Sequence, residues 1–246
     1  MRLLIIRHGD PDYAHDTLTE KGHHEAFLLA EKMKNERIDF LYSSPLGRAK
    51  DTGMYVAKAL NREKDVKIEP LFREFNIDKA VVLPDGTERH LLWDLLPTYW
   101  TNEEEFYDRE LWKTHPALSY SDVVGYYHQV CQRLDEILAS HGYKREGGYY
   151  RVEQSNTDTV AIFCHFGLEM ILLSHLMGIS PFPLLHHFVA LPTSVTTLYT
   201  EERRQGIATF RCAGFGDITH HLYKGGEEPS FSARFCEVFG DGTRQD

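Results

Sequence analysis

Leu3-Leu4-Ile5-Ile6-Arg7-His8-Gly9-Asp10-Pro11 is the stretch on which the fold turns. Four unbroken apolar residues read as a strand buried on both faces, the habit of parallel strands in α/β proteins, and the run stops at a charged loop containing Gly and Pro. Downstream the alternation continues. Thr19, a suitable N-cap, precedes a helical stretch in which Ala26, Leu29, Ala30 and Met33 recur at helical spacing. Residues 40–42 form a second apolar strand closed by Ser43-Ser44-Pro45, and residues 46–60 a helix with Ala49, Thr52, Val56, Ala57 and Leu60 on one side. Residues 66–68 make a third strand. The pattern resumes with strand 159–164, helix 168–177 and strands 195–200 and 207–212. Strand alternating with helix over short loops predicts an α/β fold: a three-layer, open, mostly parallel sheet flanked by helices.

Between these blocks, from about residue 77 to 151, the character changes. Trp93, Trp100, Phe106, Tyr107, Trp112, Tyr126 and Tyr127 crowd a segment of mainly helical pattern, with one helix expected over 121–141, capped by Ser119 or Ser121 and stopped by Gly142. No Pro/Gly/Ser-rich linker sets it apart, so it is expected to be an inserted helical cap within a single domain spanning 1–246. Its aromatics suit plain core more often than stacking on a sugar or ring. The last residues, 225–246, are polar and Gly-rich around Phe231, Phe235 and Phe239, which predicts a tail docked on this subunit or a second one; a homodimer is a possibility.

Composition narrows the function. With 27 Lys plus Arg against 37 Asp plus Glu the formal charge is -10, which disfavours attraction to nucleic acid or anionic lipid. No apolar run is long enough for a membrane span, and Arg2, Arg7 and His8 bracket too few apolar residues for a signal peptide. Cys131, Cys164, Cys212 and Cys236 are scattered without a Cys-x-x-Cys pair, which predicts free thiols in a reducing, cytoplasmic setting. A small anionic substrate is compatible with the charge only where local cations overcome the field of the whole chain.

Such cations gather at one sheet edge. Arg7-His8-Gly9 follows the first strand at its carboxyl end, where open α/β sheets place ligands. Ser43-Ser44-Pro45-Leu46-Gly47-Arg48 follows the second and puts Arg48 in the first turn of a helix, where free N–H groups already favour anions. Arg73-Glu74 follows the third. Cys164-His165-Phe166-Gly167 follows the strand at 159–164. Taken singly, each residue has a structural reading: Arg48 a surface charge, Glu74 its ion partner, His165 a satisfied strand-end histidine. Their convergence at one edge fits phosphoryl transfer through a phosphohistidine. His8 attacks phosphorus as a neutral imidazole, Arg7 and Arg48 keep it neutral and grip phosphate oxygens as planar forks, His165 donates to the same oxygens, and Glu74 protonates the leaving alkoxide. Cationic side chains supply the stabilisation, so the scheme requires no metal and no cofactor.

With these residues the chain resembles the histidine phosphatase superfamily, or phosphoglycerate-mutase-like fold. The matching pieces are Arg7-His8-Gly9, Leu18-Thr19-Glu20-Lys21-Gly22, Ser43-Ser44-Pro45-Leu46-Gly47-Arg48-Ala49-Lys50-Asp51-Thr52, Leu71-Phe72-Arg73-Glu74 and His165-Phe166-Gly167, in the family's order. The resemblance implies that His8 is the phosphorylated nucleophile, that Arg7, Arg48 and His165 form the phosphate pocket, and that Glu74 is the proton donor. Gly216 to His220 also matches, without an assigned role. Where the mutases carry a Ser and an Asn- and Trp-containing loop, this chain has Asp10-Pro11-Asp12-Tyr13-Ala14-His15-Asp16, whose acids would repel a second anionic group. A phosphatase acting on a small phosphorylated metabolite is therefore favoured over a mutase. Phe75-Asn76-Ile77-Asp78 departs from the family's usual continuation, so Asp10 or Asp78 is open as a partner or substitute for Glu74.

Competing chemistries fail on spacing. Cysteine phosphatases need Arg six residues beyond the nucleophile, and Ile137, Met170, Ile218 and Gly242 stand there instead. Asp10-Pro11-Asp12 imitates the aspartyl nucleophile of magnesium-dependent phosphatases, but Arg-His-Gly intervenes after the strand. The pairs His23-His24, His186-His187 and His220-His221 invite a metal site, but neighbours on one element point in divergent directions and His165 one turn before Glu169 lacks a His-Glu-x-x-His context, so against metal binding all read as structural or solvated. A catalytically silent phospho-ligand-binding member of the fold is the alternative from another class, opposed by the intact set of site residues. Arg89, His90 and Lys79 could steer a second anionic group or lie on a solvated face.

Overall fold

The computed structural model describes residues 1–83 and 86–223; Phe231, Phe235, Phe239, Cys236 and the tail expected around them lie outside the described residues. The chain runs β1 (Arg2–Arg7), a small ribbon of β2 (Pro11–Asp12) and β3 (Thr17–Leu18), α1 (Glu20–Met33), β4 (Phe40–Ser43), α2 (Gly47–Ala59) and β5 (Val66–Ile68). A second ribbon, β6 (Val81–Val82) and β7 (Glu88–Arg89), is followed by α3 (Pro97–Trp100), α4 (Val123–Ser140) and the hairpin of β8 (Tyr143–Glu146) and β9 (Tyr149–Val152). Then come β10 (Thr159–Cys164), α5 (Phe166–Met177), α6 (Pro181–His187), β11 (Val195–Arg204), β12 (Ile207–Asp217) and α7 (Thr219–Tyr223).

Eight strands form one sheet in the order β5-β4-β10-β1-β11-β12-β9-β8. The first four are mutually parallel, and β11 onward pair antiparallel. The apolar run of β1 is split by its pleat: Leu3 and Ile5 join the core beneath α4 and α5, Leu4 and Ile6 the core beneath α1 and α2. That double burial makes three layers. Each of the four side chains contributes about 1.5–3 kcal/mol of apolar burial. Thr19 caps α1 as expected, accepting from the Gly22 amide at 3.0 Å.

The insertion differs from expectation in two ways. Residues 92–118 form no long helix but single 3₁₀ turns and the four-residue α3, because Pro97 and Pro116 restart the chain and the apolar residues come too close together for one helical stripe. Residues 143–152, expected as part of a helical cap, are instead a hairpin that extends the main sheet, turning at Gly147 with φ 60°. Most of the aromatics are core, Tyr107 being exposed and Trp93 half-buried: Trp100, Phe106 and Trp112 are fully buried, Phe106 stacking on Phe182 at 4.1 Å and Trp112 meeting Tyr127 edge-on at 5.0 Å. Asp122 is the N-cap of α4 and makes no side-chain cap bond, Ser121 donating to the Leu118 carbonyl instead, and the helix ends before Gly142 at φ 90°.

Parallel register determines what meets at the carboxyl edge. Arg7 lies opposite Cys164, and Phe163 opposite Ser43. Beyond the strands the same pairing continues as loop hydrogen bonds, the His8 amide to the Cys164 carbonyl and the Ser44 amide to the Phe163 carbonyl.

Candidate active site

His8 leaves β1 buried, and two neighbours determine its tautomer. Its Nδ1 stands 2.7 Å from the Gly9 carbonyl, which can only accept, so Nδ1 carries the proton. Its Nε2 stands 3.3 Å from the Arg48 Nε–H, which can only donate, so Nε2 presents a lone pair. Burial, then Arg7, then Arg48 hold the ring's pKa well below the ordinary histidine value. The result is a neutral imidazole with a bare nitrogen beside two guanidinium groups.

Arg48 sits in the first turn of α2, mostly buried, with Nη1 2.8 Å from Asp16 Oδ1. The other Asp16 oxygen accepts from the Gly47 amide at 2.7 Å. Helix α2 has no cap from its own Leu46, so this carboxylate from the β2–β3 region caps it from outside. The approach is so close that a Cβ on Gly47 would fall 1.8 Å from the Asp16 carbonyl oxygen, and only glycine fits. The Tyr13 ring lies 5.3 Å from the Arg48 guanidinium on the open side.

Arg7 is held from two sides. Nη1 donates to the Ala190 carbonyl, and its guanidinium lies 5.8 Å from the Phe166 ring. Buried Glu169, one turn into α5, and Glu25 in α1 lie close enough to favour the charge on Arg7, and burial raises their own pKa values to about 8 and about 7. Both are thus weaker acids than a free glutamate, Glu169 mostly carboxylic near neutral pH and Glu25 about half ionised.

His165 occupies the N-cap position of α5 without a side-chain cap bond, fully buried, its ring centroid 5.0 Å from that of His8. Its Nε2 shares a 2.7 Å hydrogen bond with the Ser44 hydroxyl, while Nδ1 makes none among the described residues. Burial, with the neighbouring His8 and the two arginines, holds its pKa well below the histidine range. Glu74 reaches the same helix start, accepting from the Phe75 and Leu168 amides at 2.8 and 3.2 Å. Burial raises its pKa, against those two amides and Arg7. The half-buried Trp93 lies beside it: a Cβ on Gly167 would meet the Trp93 ring at 2.3 Å and Glu74 Oε1 at 2.9 Å.

The structure thus brings His8, Arg7, Arg48, His165 and Glu74 to one edge. Asp78 stands exposed 3.9 Å from Arg73, and the Asp10 carboxylate accepts from the Thr19 hydroxyl at 2.7 Å. Arg89 donates to the Asp94 and Glu88 carbonyls and His90 pairs with that of Ile77. His220 and His221 both direct Nε2 at the Thr193 hydroxyl, at 2.9 and 2.8 Å, and the Thr193 amide donates to the His8 carbonyl. Sequence reasoning missed Ser44, Asp16, Trp93 and the buried acids. Ser44 stood inside a matched motif and had a signal; the others are near only because of the fold.

Comparisons with known proteins bear on the fold and the family. The sequence profile of the histidine phosphatase superfamily (branch 1) matches residues 3–213. A probable phosphoglycerate mutase from Photorhabdus laumondii is 30% identical over 86 residues, 31% of this chain and 39% of that protein. Phosphoserine phosphatase 1 from Hydrogenobacter thermophilus is 32% identical over 72 residues, 26% and 34% of the two chains. The match thus spans between a third and two fifths of these curated relatives. Among solved structures, a mutant phosphoserine phosphatase from Entamoeba histolytica in complex with phosphoserine superposes with a TM-score of 0.58 at 21% identity, over 89% of this chain and 98% of that one. The native mycobacterial glucosyl-3-phosphoglycerate phosphatase gives 0.59 at 18% identity, over 87% and 98%. These two likenesses establish the fold.

Proposed function

The chain belongs to the histidine phosphatase superfamily, and on that premise we propose that it hydrolyses a small phosphomonoester through a phosphohistidine on His8. One observation carries the reading: the carbonyl on Nδ1 and the guanidinium on Nε2 leave His8 neutral with its lone pair toward the cationic pocket.

In the first step Nε2 attacks phosphorus and the ester P–O bond breaks. As the P–N bond forms, the Arg48 Nε–H turns from the ring to a phosphoryl oxygen, joined by Arg7 and by His165 through Nδ1. Glu74, whose raised pKa favours a retained proton, gives that proton to the departing alkoxide. In the second step a water attacks phosphorus, its proton passes to the Glu74 carboxylate, the P–N bond breaks and phosphate leaves. His8→Ala should abolish phosphate release, and rapid acid-free quenching of wild type with a labelled ester should show acid-labile phosphate on His8. Wild-type turnover without such label, or activity retained in His8→Ala, would sink the scheme.

The mutase names among the relatives favour a second reading, phosphotransfer between two positions of one phosphoglycerate. The segment after β1 argues against it: it carries three carboxylates, Asp10, Asp12 and Asp16, and no Lys or Arg of its own, with Asp16 paired to Arg48 at 2.8 Å and Asp12 to the His15 ring at 2.7 Å. Bisphosphoglycerate-dependent isomerisation faster than phosphate release would establish the mutase instead. Among the described residues no helix is long and apolar enough to cross a membrane. The free thiols of Cys131, Cys164 and Cys212 support placement in the reducing cytoplasm.

A further inference from the structure

At the far end of α5 lies a cleft of about 240 Å³, walled by the turn at 109–113, one side of α4, the β8–β9 hairpin and the last turn of α5. Helix α5 has 12 residues, so at about 1.5 Å each the cleft is about 18 Å from the His165 end. It is therefore separate from the site above. Its charged lining is Arg109, Lys113 and Arg145 against Glu110, a surplus of two positive charges in a chain of formal charge -10. Concentrating cations in a concavity, against the sign of the whole molecule, favours a small anion at that point.

The cations are placed rather than merely present. Arg145 donates Nε to the Gly147 carbonyl at 2.7 Å and Nη1 to the Tyr150 hydroxyl and the His175 carbonyl at 3.0 and 3.3 Å, with its guanidinium 4.9 Å from the Tyr150 ring. Lys113 is mostly buried, its Nζ 5.4 Å from the centre of the Tyr127 ring. Glu110 lies between Lys113 Nζ at 2.8 Å and Arg109 Nε at 3.4 Å, its carboxylate largely exposed. Asp135, behind the wall, is engaged by His175 Nε2 at 2.9 Å and the Tyr150 hydroxyl at 3.0 Å. His128 adds its imidazole to the lining. Glu110 thus occupies, with one exposed carboxylate, two of the three cations an incoming oxyanion would use, Arg109 and Lys113, while Arg145 is held by its own protein partners.

We propose that this cleft is a second anion site, which binds a phosphate or a phosphate ester through Arg109, Lys113 and Arg145 as the anion displaces Glu110. Planar guanidinium forks and an ammonium suit a tetrahedral dianion. The predicted signature is a pair of opposite effects. Inorganic phosphate is titrated by calorimetry into the full chain carrying Arg48→Ala, which disables the pocket at His8. Saturable binding is expected to persist there. Adding Lys113→Gln should weaken it about tenfold, the loss of one charge-assisted contact. Adding Glu110→Gln should tighten it about threefold by removing the competing carboxylate. If Lys113→Gln unfolds, as melting would show, the Glu110→Gln arm decides alone. Absence of saturable binding in the Arg48→Ala chain, or binding that Glu110→Gln leaves unchanged or weakens, overturns the proposal.

Discussion

Arg48→Gln and Arg48→Lys separate two effects of one side chain. Arg48 Nε lies 3.3 Å from His8 Nε2, and its charge ranks third, after burial and Arg7, among the causes that lower the His8 pKa. A neutral His8 is the attacking form, so activity is present above its lowered pKa and lost as pH falls through it. Removing the Arg48 charge relaxes the depression, and the acid limb of kcat/KM should move to higher pH in Arg48→Gln. Lysine keeps the charge, so Arg48→Lys should hold the limb close to wild type. Both variants lose the fork. One donor aimed at developing oxyanion charge is worth about 2.7–4 kcal/mol, so kcat/KM should fall about 10²-fold in Arg48→Lys and about 10³-fold or more in Arg48→Gln. The assay is phosphate release from a single monoester followed across pH; ionisation of the substrate is common to the three enzymes and cancels in the comparison. An acid limb unmoved in Arg48→Gln, or moved equally in both variants, would refute the electrostatic account of His8.

Glu74→Gln should cost alkyl phosphates about 10²-fold in kcat and nitrophenyl phosphate far less, because only the poor leaving group needs a proton; equal losses in a paired assay would point to another acid. Ser44→Ala removes the 2.7 Å partner of His165 and should lower kcat/KM about tenfold with the fold intact by circular dichroism; an unchanged rate would mean that the hydroxyl does not orient the ring. Gly167→Ala places a Cβ 2.3 Å from Trp93 and 2.9 Å from Glu74 Oε1, so it should lower activity by displacing both, and a crystal structure with neither moved would contradict this. Glu169 has a folded pKa of about 8 against 4.5, so the stability its protonated form retains below pH 4.5 is lost as pH rises through 8, by up to about 5 kcal/mol. Glu169→Gln mimics the protonated acid and should raise Tm above wild type at pH 9 but not at pH 5; a gain equal at both would assign the effect to packing.

Local pattern carried much of this protein. An apolar run ending in Arg7-His8, another ending before Ser43 and a third ending before His165 state their own strand character, and parallel pairing sends their loops to one side. That is why the meeting of His8, Arg7, Arg48 and His165 at one edge was legible: each follows its strand or opens its helix, and strand ends of a parallel sheet are neighbours by construction. The β8–β9 hairpin was legible as well, in Gly147-Gly148 between Tyr143 and Tyr150, but the surrounding aromatics drowned the turn signal in a helical reading. The tertiary structure alone decided the rest. No spacing says that Asp16 would cap α2 and hold Arg48, that the Ser44 hydroxyl would meet His165, or that Glu25 and Glu169 would be buried near Arg7 as weak acids. These are contacts between side chains of separate elements. Their distances depend on how helices and loops pack over the sheet, and their protonation on the water that packing removes, neither of which is written in the period of any one segment.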